Sequence, residues 1–200
     1  MSSKLEIGYV NQEVAKYAVL HWHYSERMPN GKLIRFGVKE DGKFIGAVIY
    51  GSGANNNMLK PYGLKHTEGC ELVRVALCKH KTPVSRIVAI TLKMLKKDFP
   101  GLRLVVSYAD TRQNHVGTIY QAMNWVFTGK IKTTPDYFVG GKWIHQRTLN
   151  KVYGGITKFE KRPPQRDGGL RLRYLYPLDQ DMREQIESLR KPYEKNALVV

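Results

Sequence analysis

The chain has 200 residues, of which 33 are Lys or Arg and 17 are Asp or Glu, so its formal net charge is +16 at pH 7. Hydrophobic residues make up 42% of it, which excludes a disordered polyelectrolyte and suits one globular domain with a sizeable core. The charge predicts a polyanionic partner, above all nucleic acid, although a solubilising surface or a ribosome-adjacent protein without chemistry would show the same excess.

Three further features limit the class of protein. No apolar run approaches the roughly 18 residues of a transmembrane helix, and the first ten residues lack the apolar segment of a signal peptide. We therefore expect a cytoplasmic protein with no membrane partner. Cys70 and Cys78 form no C-x-x-C pair, which favours reduced thiols over a disulfide or a zinc site.

A first helix is predicted from Asn11 to Tyr24 by the spacing of its apolar residues. His21 and His23 would point the same way in an extended segment and could then bind a metal. Because no Cys or acidic ligand belongs to this pair, core packing or substrate contact is favoured, and no metal site is predicted. The predicted inward face of the helix consists of Val14, Tyr17, Ala18 and His21.

Two strands, Leu33 to Lys39 and Lys43 to Gly51, are predicted to form a hairpin around the turn at Glu40-Asp41-Gly42. The next stretch, from Gly51 to Gly69, has no periodicity and is rich in Gly and Asn. It predicts a long surface loop.

A central strand is predicted from Glu71 to Cys78, because its apolar run is nearly continuous. Thr82 and Pro83 then suit the start of a helix that continues to about Lys97. The helix N-terminus would direct free N–H groups into a basic turn, which predicts an anion site. The candidate donor or phosphate ligands there are Lys79, His80, Lys81, Ser85 and Arg86.

The stretch from Leu102 to Lys130 predicts a strand, a polar corner, a helix and a second strand at Val126 to Ile131. Asp110 or Thr111 would cap that helix, and its apolar face would consist of Val116, Ile119, Tyr120 and Met123. The corner carries Asp110, Asn114 and His115. Polar groups at the end of a buried strand are where α/β proteins place chemistry.

The alternating segment from Trp143 to Leu149 predicts a late hairpin with Val126 to Ile131. Beyond Asn150 the composition shifts to Gly, Pro and basic residues, with a possible strand at Leu170 to Leu178 and a short helix from Asp181 to Arg190. We therefore expect one main domain over residues 1–150, which the resemblance described next implies is a transferase domain, and a basic C-terminal extension over residues 151–200.

This element order resembles the GNAT superfamily of N-acetyltransferases, which implies a mixed α/β sheet flanked by helices. In the family's motif N-x-x-A-x-x-x-Y-x-x-x-G-F only the tyrosine is retained, as Tyr120. The family's diphosphate loop, R/Q-x-x-G-x-G/A, falls at Lys79 to Ser85, where the chain reads KHKTPVS and has no glycine. The resemblance implies an acyl-coenzyme A donor, and the missing glycines leave open another activated small-group donor.

At closer range the chain resembles the bacteriophage Mom proteins over Trp22 to Leu149. The similar segments are HYS from His23, FGV from Phe36, IGAVIYG from Ile45, ELVRVALC from Glu71, VSYAD from Val106, H-x-G from His115, IYQAMNW from Ile119 and HQRT from His145. This resemblance implies transfer of a carbamoylmethyl-type group to the N6 amine of adenine in phage DNA, which protects that DNA from host restriction.

The implied chemistry selects candidate residues. An adenine amine is a poor nucleophile, so a catalyst must help it lose a proton and must extract the base from the duplex. Asp110 is the first candidate carboxylate, with an N-cap as the structural alternative, and Tyr120 matches the GNAT tyrosine that protonates a leaving group, with a core tyrosine as its alternative. The candidate catalytic residues are Asp110, Tyr120, His23, Ser107 and Tyr108.

DNA binding requires cations for phosphates and flat side chains for an extruded base. Glu71 and Arg74 are charged residues in a mostly apolar strand. They could contact the substrate, or they could form a buried ion pair with a purely structural role. The candidate DNA contacts are Arg74, Asn114, His115, Tyr62, Tyr137, His145 and Arg147, with Phe138 beside Tyr137, and Lys158, Lys161, Arg162, Arg166, Arg171 and Arg173 could follow the phosphates.

Two alternatives stay open, one of them a second enzyme and the other of a different class. One is a coenzyme A-dependent N-acetyltransferase of a protein or small molecule, and the other is a non-catalytic nucleic-acid-binding protein on a decayed transferase scaffold. The sequence predicts DNA and a small-group donor as partners, and leaves the donor's identity and the oligomeric state open.

Overall fold

The computed structural model of the chain describes residues 3–53 and 57–193. Among these residues the strands are β1 (Leu5–Tyr9), β2 (Leu33–Glu40), β3 (Lys43–Gly51), β4 (Gly69–Leu77), β5 (Leu104–Asp110), β6 (Val126–Lys132), β7 (Asp136–Val139), β8 (Lys142–His145), β9 (Gln165–Arg166) and β10 (Leu170–Pro177). The α-helices are α1 (Gln12–Trp22), α2 (Val84–Asp98), α3 (Thr118–Gln121), α4 (Gln146–Tyr153) and α5 (Gln180–Glu187).

Seven strands form one sheet in the order β1-β2-β3-β4-β5-β10-β6. Strands β1 to β4 pair antiparallel, and β4 pairs parallel with β5. The apolar strand β4 lies at the centre of this order, as its sequence predicts. The mixed α/β class and the β2–β3 hairpin are thereby confirmed.

The chain divides into two compact units. The first unit takes in residues 1–107, 118–128 and 174–192, and the second takes in residues 108–117, 129–173 and 193–200. This division differs from the expected boundary at residue 150. Strand β10 is a member of the seven-stranded sheet, and the expected boundary at residue 150 stays a prediction.

Helix α1 packs through small residues, and its predicted face is wrong except for Ala18. Ala15, Ala18 and Val19 are buried against Ala47 and Ile49 of β3. Tyr17 is half exposed and stacks on His21. Alanines permit a close approach of helix to sheet, which is why the helix is rotated away from the aromatic face.

Helix α2 buries Ile87, Val88, Thr91 and Leu95, which recur at helical spacing along one face. The segment before β4 is different from the surface loop predicted from its composition. Residues 54–56 of that loop lie outside the described residues. The rest buries apolar side chains without any regular spacing, namely Met58, Leu59, Tyr62 and Leu64.

The predicted long helix after β5 is wrong. A single 3-10 turn, Thr111–Gln113, follows Asp110, and α3 has only four residues. Asn114 and Gly117 lie between them with φ of 56° and 76°. These left-handed residues interrupt the helical hydrogen bonds, and Val116 is exposed as a consequence.

The predicted late hairpin is wrong too. Strand β8 pairs with β7 through a turn at Gly140-Gly141, and residues 146–153 form helix α4. The two glycines have φ of 59° and 78°, the backbone that a two-residue hairpin favours. A local turn of this kind forms more readily than a distant strand pair, and β7 also pairs with β9 to give the order β8-β7-β9.

Within residues 3–53 and 57–193, no helix combines the length and the apolar character that crossing a membrane requires.

Candidate functional site

Tyr120 and Ser107 form a buried hydroxyl pair in the first unit. Ser107 Oγ lies 3.0 Å from the carbonyl oxygen of Leu72 and 2.8 Å from Tyr120 Oη. A carbonyl oxygen only accepts, so Ser107 donates its single proton to Leu72 and Tyr120 donates to Ser107. The phenolic proton is thus held on a serine that is itself oriented by the backbone of β4.

The surroundings of Tyr120 are aromatic. Its ring stacks on Tyr174, with centroids 4.8 Å apart, and meets Trp125 edge-on at 5.0 Å. Burial raises the pKa of Tyr120 to about 12. The hydroxyl therefore stays protonated at neutral pH and can donate a proton, but it does not serve as a phenolate base.

His23 follows α1 and contacts Ser25. Its Nδ1 accepts the backbone N–H of Ser25 at 3.1 Å and lies 2.8 Å from Ser25 Oγ. An Nδ1 that accepts carries no proton, so the network assigns the proton of a neutral ring to Nε2. His21 instead uses Nδ1 to contact the carbonyl oxygen of Tyr17.

Arg74 on β4 is oriented by backbone carbonyls. Its Nε and Nη2 donate to the carbonyl oxygen of Arg27 at 3.3 Å, and its Nη1 donates to that of Val73 at 2.6 Å. Among the described residues, no group of three or more His, Cys, Asp or Glu side chains is placed to hold a metal ion.

The basic turn before α2 is engaged by a carboxylate of the protein itself. Glu40, at the end of β2, accepts hydrogen bonds from Lys81 N at 2.9 Å, from Thr82 N at 2.8 Å and from Thr82 Oγ1 at 2.6 Å. The Thr82 hydroxyl and the two backbone N–H groups lower the pKa of Glu40 to about 2. Thr82 therefore does not cap α2, and the residue preceding the helix is Pro83.

This contact bears on the coenzyme A expected from the GNAT resemblance. Two backbone donors of the turn are already used, and the carboxylate would repel a diphosphate. The turn does not fit that group. The other predicted ligands lie around it: His80 Nδ1 donates to the carbonyl oxygen of Cys78 at 2.6 Å, Ser85 is half-buried, and Lys79, Lys81 and Arg86 are exposed.

Asp110 in the second unit is a buried carboxylate between two guanidinium groups. Its Oδ1 accepts from the backbone N–H of Arg112 at 3.1 Å and lies 3.6 Å from Arg112 Nε. Its Oδ2 lies 3.9 Å from Arg171 Nε. It does cap the following turn, as predicted, but that turn is the 3-10 helix.

A second buried carboxylate, Asp136, extends this network. Its Oδ2 contacts Arg112 Nη1 at 2.9 Å and accepts from Arg166 Nε and Nη2 at 3.2 and 3.1 Å. Arg112 therefore bridges Asp110 and Asp136. Neither Asp136 nor Arg112 was a predicted site residue, and the only sequence signal was a basic residue two positions after Asp110.

Three other predicted residues lie near Asp110 in sequence. Tyr108 is half-buried on β5, while Asn114 and His115 are exposed in the bend that follows the 3-10 turn. The backbone N–H of His115 donates to the carbonyl oxygen of Asp110 at 3.3 Å.

His145 is the N-cap of α4. Its Nδ1 accepts from the backbone N–H of Arg147 at 3.1 Å, and its Nε2 lies 3.0 Å from Thr134 Oγ1. Burial lowers the pKa of His145, which matches a neutral ring with both nitrogens engaged. Arg147 is exposed in the first turn of α4.

Tyr62 and Tyr137, predicted as aromatic contacts for a base, are both in the core. Tyr62 is 4% exposed and Tyr137 is 3% exposed. Tyr137 packs against Ile144 and Leu149. The prediction of an accessible ring is corrected at both positions. On β7, Tyr137 is turned inward and the neighbouring Phe138 is turned outward.

Comparison with known proteins gives a sequence match and a fold match. The model of the Mom protein family matches residues 4–195. The methylcarbamoylase mom of Escherichia phage Mu is 28% identical over 158 residues, covering 77% of this chain and 65% of that protein. The match thus spans just under two thirds of that relative's length.

Solved N-acetyltransferase structures share the fold. The ribosomal-protein-S18-alanine N-acetyltransferase of Escherichia coli has a TM-score of 0.53 and 9% identity, covering 88% of this chain and 96% of that chain. The spermidine/spermine N-acetyltransferase of Vibrio cholerae has a TM-score of 0.51 and 10% identity, covering 90% and 96%. These matches confirm the GNAT-like fold and carry no evidence on substrate.

Proposed function

The chain belongs to the Mom protein family, and on that premise we propose that it is a transferase that modifies adenine in phage DNA. The group added is of the carbamoylmethyl type, the acceptor is the N6 amine, and the result is protection from host restriction in the host cytoplasm. The name of the phage Mu relative, methylcarbamoylase, supports a small carbamoyl-containing group. The methylcarbamoyl group is an isomer of the carbamoylmethyl group and has the same mass.

The distribution of charge is the main observation that supports DNA as the substrate. Residues 108–117 and 129–173 contain 12 Lys or Arg and four Asp or Glu, a net charge of +8. Half of the chain's net charge thus falls on 55 of its 200 residues. A concentration of this kind attracts a phosphate backbone and fixes the register of a protein on it.

Asp110 is our candidate for the group that receives the proton of the adenine amine. In the transfer, the amine nitrogen forms a bond to the donor carbon, the leaving group departs with its electron pair, and one N–H proton is released. A buried carboxylate accepts such a proton when it lies within hydrogen-bonding distance of the amine. Arg112 and Arg171 would orient Asp110 for this step.

Tyr120 is our candidate for the group that protonates the leaving group. Its hydroxyl is protonated at neutral pH, and Ser107 holds the proton in a defined direction. For transfer, the hydroxyl must turn from Ser107 to the leaving atom. Because the turn before α2 does not fit a diphosphate, we propose a donor that is held elsewhere than in the usual coenzyme A loop.

Nucleoside analysis tests the reaction directly. The protein is expressed in bacteria, the genomic DNA is digested to nucleosides, and deoxyadenosine is examined by mass spectrometry. A carbamoylmethyl-sized increase that is lost in Asp110→Asn supports the proposal. An acetyl-sized increase indicates acyl transfer onto DNA, acetylated cellular proteins with unchanged DNA indicate a coenzyme A-dependent acetyltransferase, and no change in either indicates a binding protein.

A further inference from the structure

The small sheet β8-β7-β9 has two chemically different faces. One face packs Tyr137 and Ile144 against Leu149 of α4 and forms the core of the second unit. On the other face, Phe138 and Trp143 stand directly opposite each other in the β7–β8 register. Their rings are 5.3 Å apart, and the two residues are 41% and 40% exposed.

Arg166 adds a cation to this exposed pair. Its guanidinium carbon lies 4.7 Å from the centroid of the Trp143 ring. The two hydrogen bonds to the buried Asp136 hold the guanidinium in this position, since Asp136 is opposite Arg166 in the β7–β9 register. The arrangement is therefore fixed before any partner arrives, which lowers the entropic cost of binding.

The properties of this surface select one kind of partner. Large exposed aromatic side chains mark binding sites when they cluster, and here they lie in the unit that carries a net +8. A partner must offer flat apolar surface together with negative charge. A nucleic-acid base with its phosphates has both, and aromatic stacking combined with arginine is how proteins hold unpaired bases.

We propose that Phe138, Trp143 and Arg166 form a stacking platform for a DNA base, and this inference rests on the proposed DNA-modifying function. The platform takes a base of exposed or extruded strand, with Phe138 and Trp143 supplying the stacking area and Arg166 the adjoining charge. It is a binding surface and supplies no proton or bond to the reaction.

The test separates bases from phosphates. Two strands of equal length are compared by fluorescence anisotropy, one of oligodeoxyadenylate and one with abasic tetrahydrofuran units, so that only the bases differ. We expect Trp143→Ala and Phe138→Ala to weaken binding of the adenine strand by about 5- to 150-fold, the range of base–aromatic stacking, and to leave the abasic strand unaffected. Tyr153→Ala is the matched control, because Tyr153 is also 40% exposed in this unit but lies on α4 beside Phe159.

Tryptophan fluorescence gives a second readout that does not depend on an alanine variant. Among the three tryptophans Trp125 is 2% exposed and Trp22 is half-buried, so Trp143 is the one best placed to stack. Binding of the adenine strand should quench the tryptophan fluorescence of the wild type strongly and that of Trp143→Phe weakly. Trp143→Phe should keep most of its affinity for the adenine strand, because phenylalanine can also stack.

The outcomes distinguish the platform from the function. Suppose that the wild type binds and modifies DNA and that Trp143→Ala binds the adenine strand with the same affinity. That result would overturn the platform and would leave the proposed function standing. An equal loss on both strands would overturn it too, since phosphate contacts would then be responsible. If the wild type binds neither strand and alters no deoxyadenosine, the proposed function fails first.

Discussion

Glu40 holds Thr82 through two hydrogen bonds to one carboxylate oxygen, from the backbone N–H at 2.8 Å and from the hydroxyl at 2.6 Å. This contact joins the end of β2 to the turn that precedes α2, 42 residues later. The turn is the place where the GNAT resemblance predicts a diphosphate. An internal anion here stabilises the fold and opposes an external one.

Glu40→Gln should lower stability in a pH-dependent manner. The folded protein lowers the pKa of Glu40 from 4.5 to about 2, so its stabilising effect is present above pH 4.5 and is lost as the pH falls toward 2. The difference in melting temperature between wild type and Glu40→Gln should be largest near neutral pH and should narrow below pH 4.5. Thermal unfolding followed by circular dichroism over that range measures it.

Glu13→Gln serves as the control for this experiment, because Glu13 is an exposed glutamate in the first turn of α1. It should change the melting temperature little. If the melting temperatures of wild type and Glu40→Gln differ by the same amount from pH 7 to pH 2, the ionised carboxylate of Glu40 is not the source of the stabilisation.

Tyr120→Phe separates a structural hydroxyl from a chemical one. Losing the hydrogen bond to Ser107 should cost about 1 kcal/mol of unfolding free energy. If the phenolic proton is transferred in the reaction, DNA modification should fall by about 100-fold or more. Ser107→Ala removes the hydrogen-bond partner but keeps the phenol. Its stability should fall by a similar amount, and its modification activity should fall far less. Equal losses of activity in the two variants would indicate a structural role for Tyr120.

Elements with strong local signals were predictable from the sequence. Strand β4 has an almost unbroken apolar run, and α2 repeats its apolar residues at helical spacing. The β2–β3 hairpin has a turn at Asp41-Gly42, with φ of 51° and 77°. The five-residue edge strand β1 was not predicted. Leu5, Ile7 and Tyr9 do alternate with Glu6 and Gly8, but the run is short and none of its side chains is buried.

The site was predictable only in part. Asp110 and Ser107 were proposed as site residues because they end an apolar strand, and Tyr120 because of a family motif; their roles stay predictions. The contacts of Asp136 with Arg112 and Arg166 span 24 and 30 residues along the chain. No periodicity encodes such distances. The sequence pattern places Glu40 in a turn, whereas its role depends on a contact 42 residues away.

Asp136→Asn tests the ion-pair network that supports the aromatic platform. Without the carboxylate, Arg112 and Arg166 lose their shared acceptor, and unfolding should become easier by about 1–3 kcal/mol, toward the lower end because both arginines are partly exposed. Acrylamide should also quench the fluorescence of Trp143 more efficiently, because the ring loses the cover of Arg166. Asp167→Asn is the control, since its ion pair with Lys132 is exposed and should contribute little to stability. Equal effects of the two changes would refute a special role for Asp136.

The salt dependence of duplex DNA binding should depend on where a positive charge lies. Each phosphate contact contributes about −0.9 to the slope of log affinity against log salt concentration, because it releases condensed counterions. Lys142 and Lys43 are matched: each is exposed and begins the second strand of a hairpin, after Gly140-Gly141 and after Asp41-Gly42. Only Lys142 belongs to the unit with the net charge of +8. Lys142→Ala should therefore make the slope shallower by about 0.9, while Lys43→Ala should leave it unchanged.

A flat salt response in the wild type would remove DNA as the partner. A shallower slope in Lys43→Ala alone would move the DNA contact to the first unit.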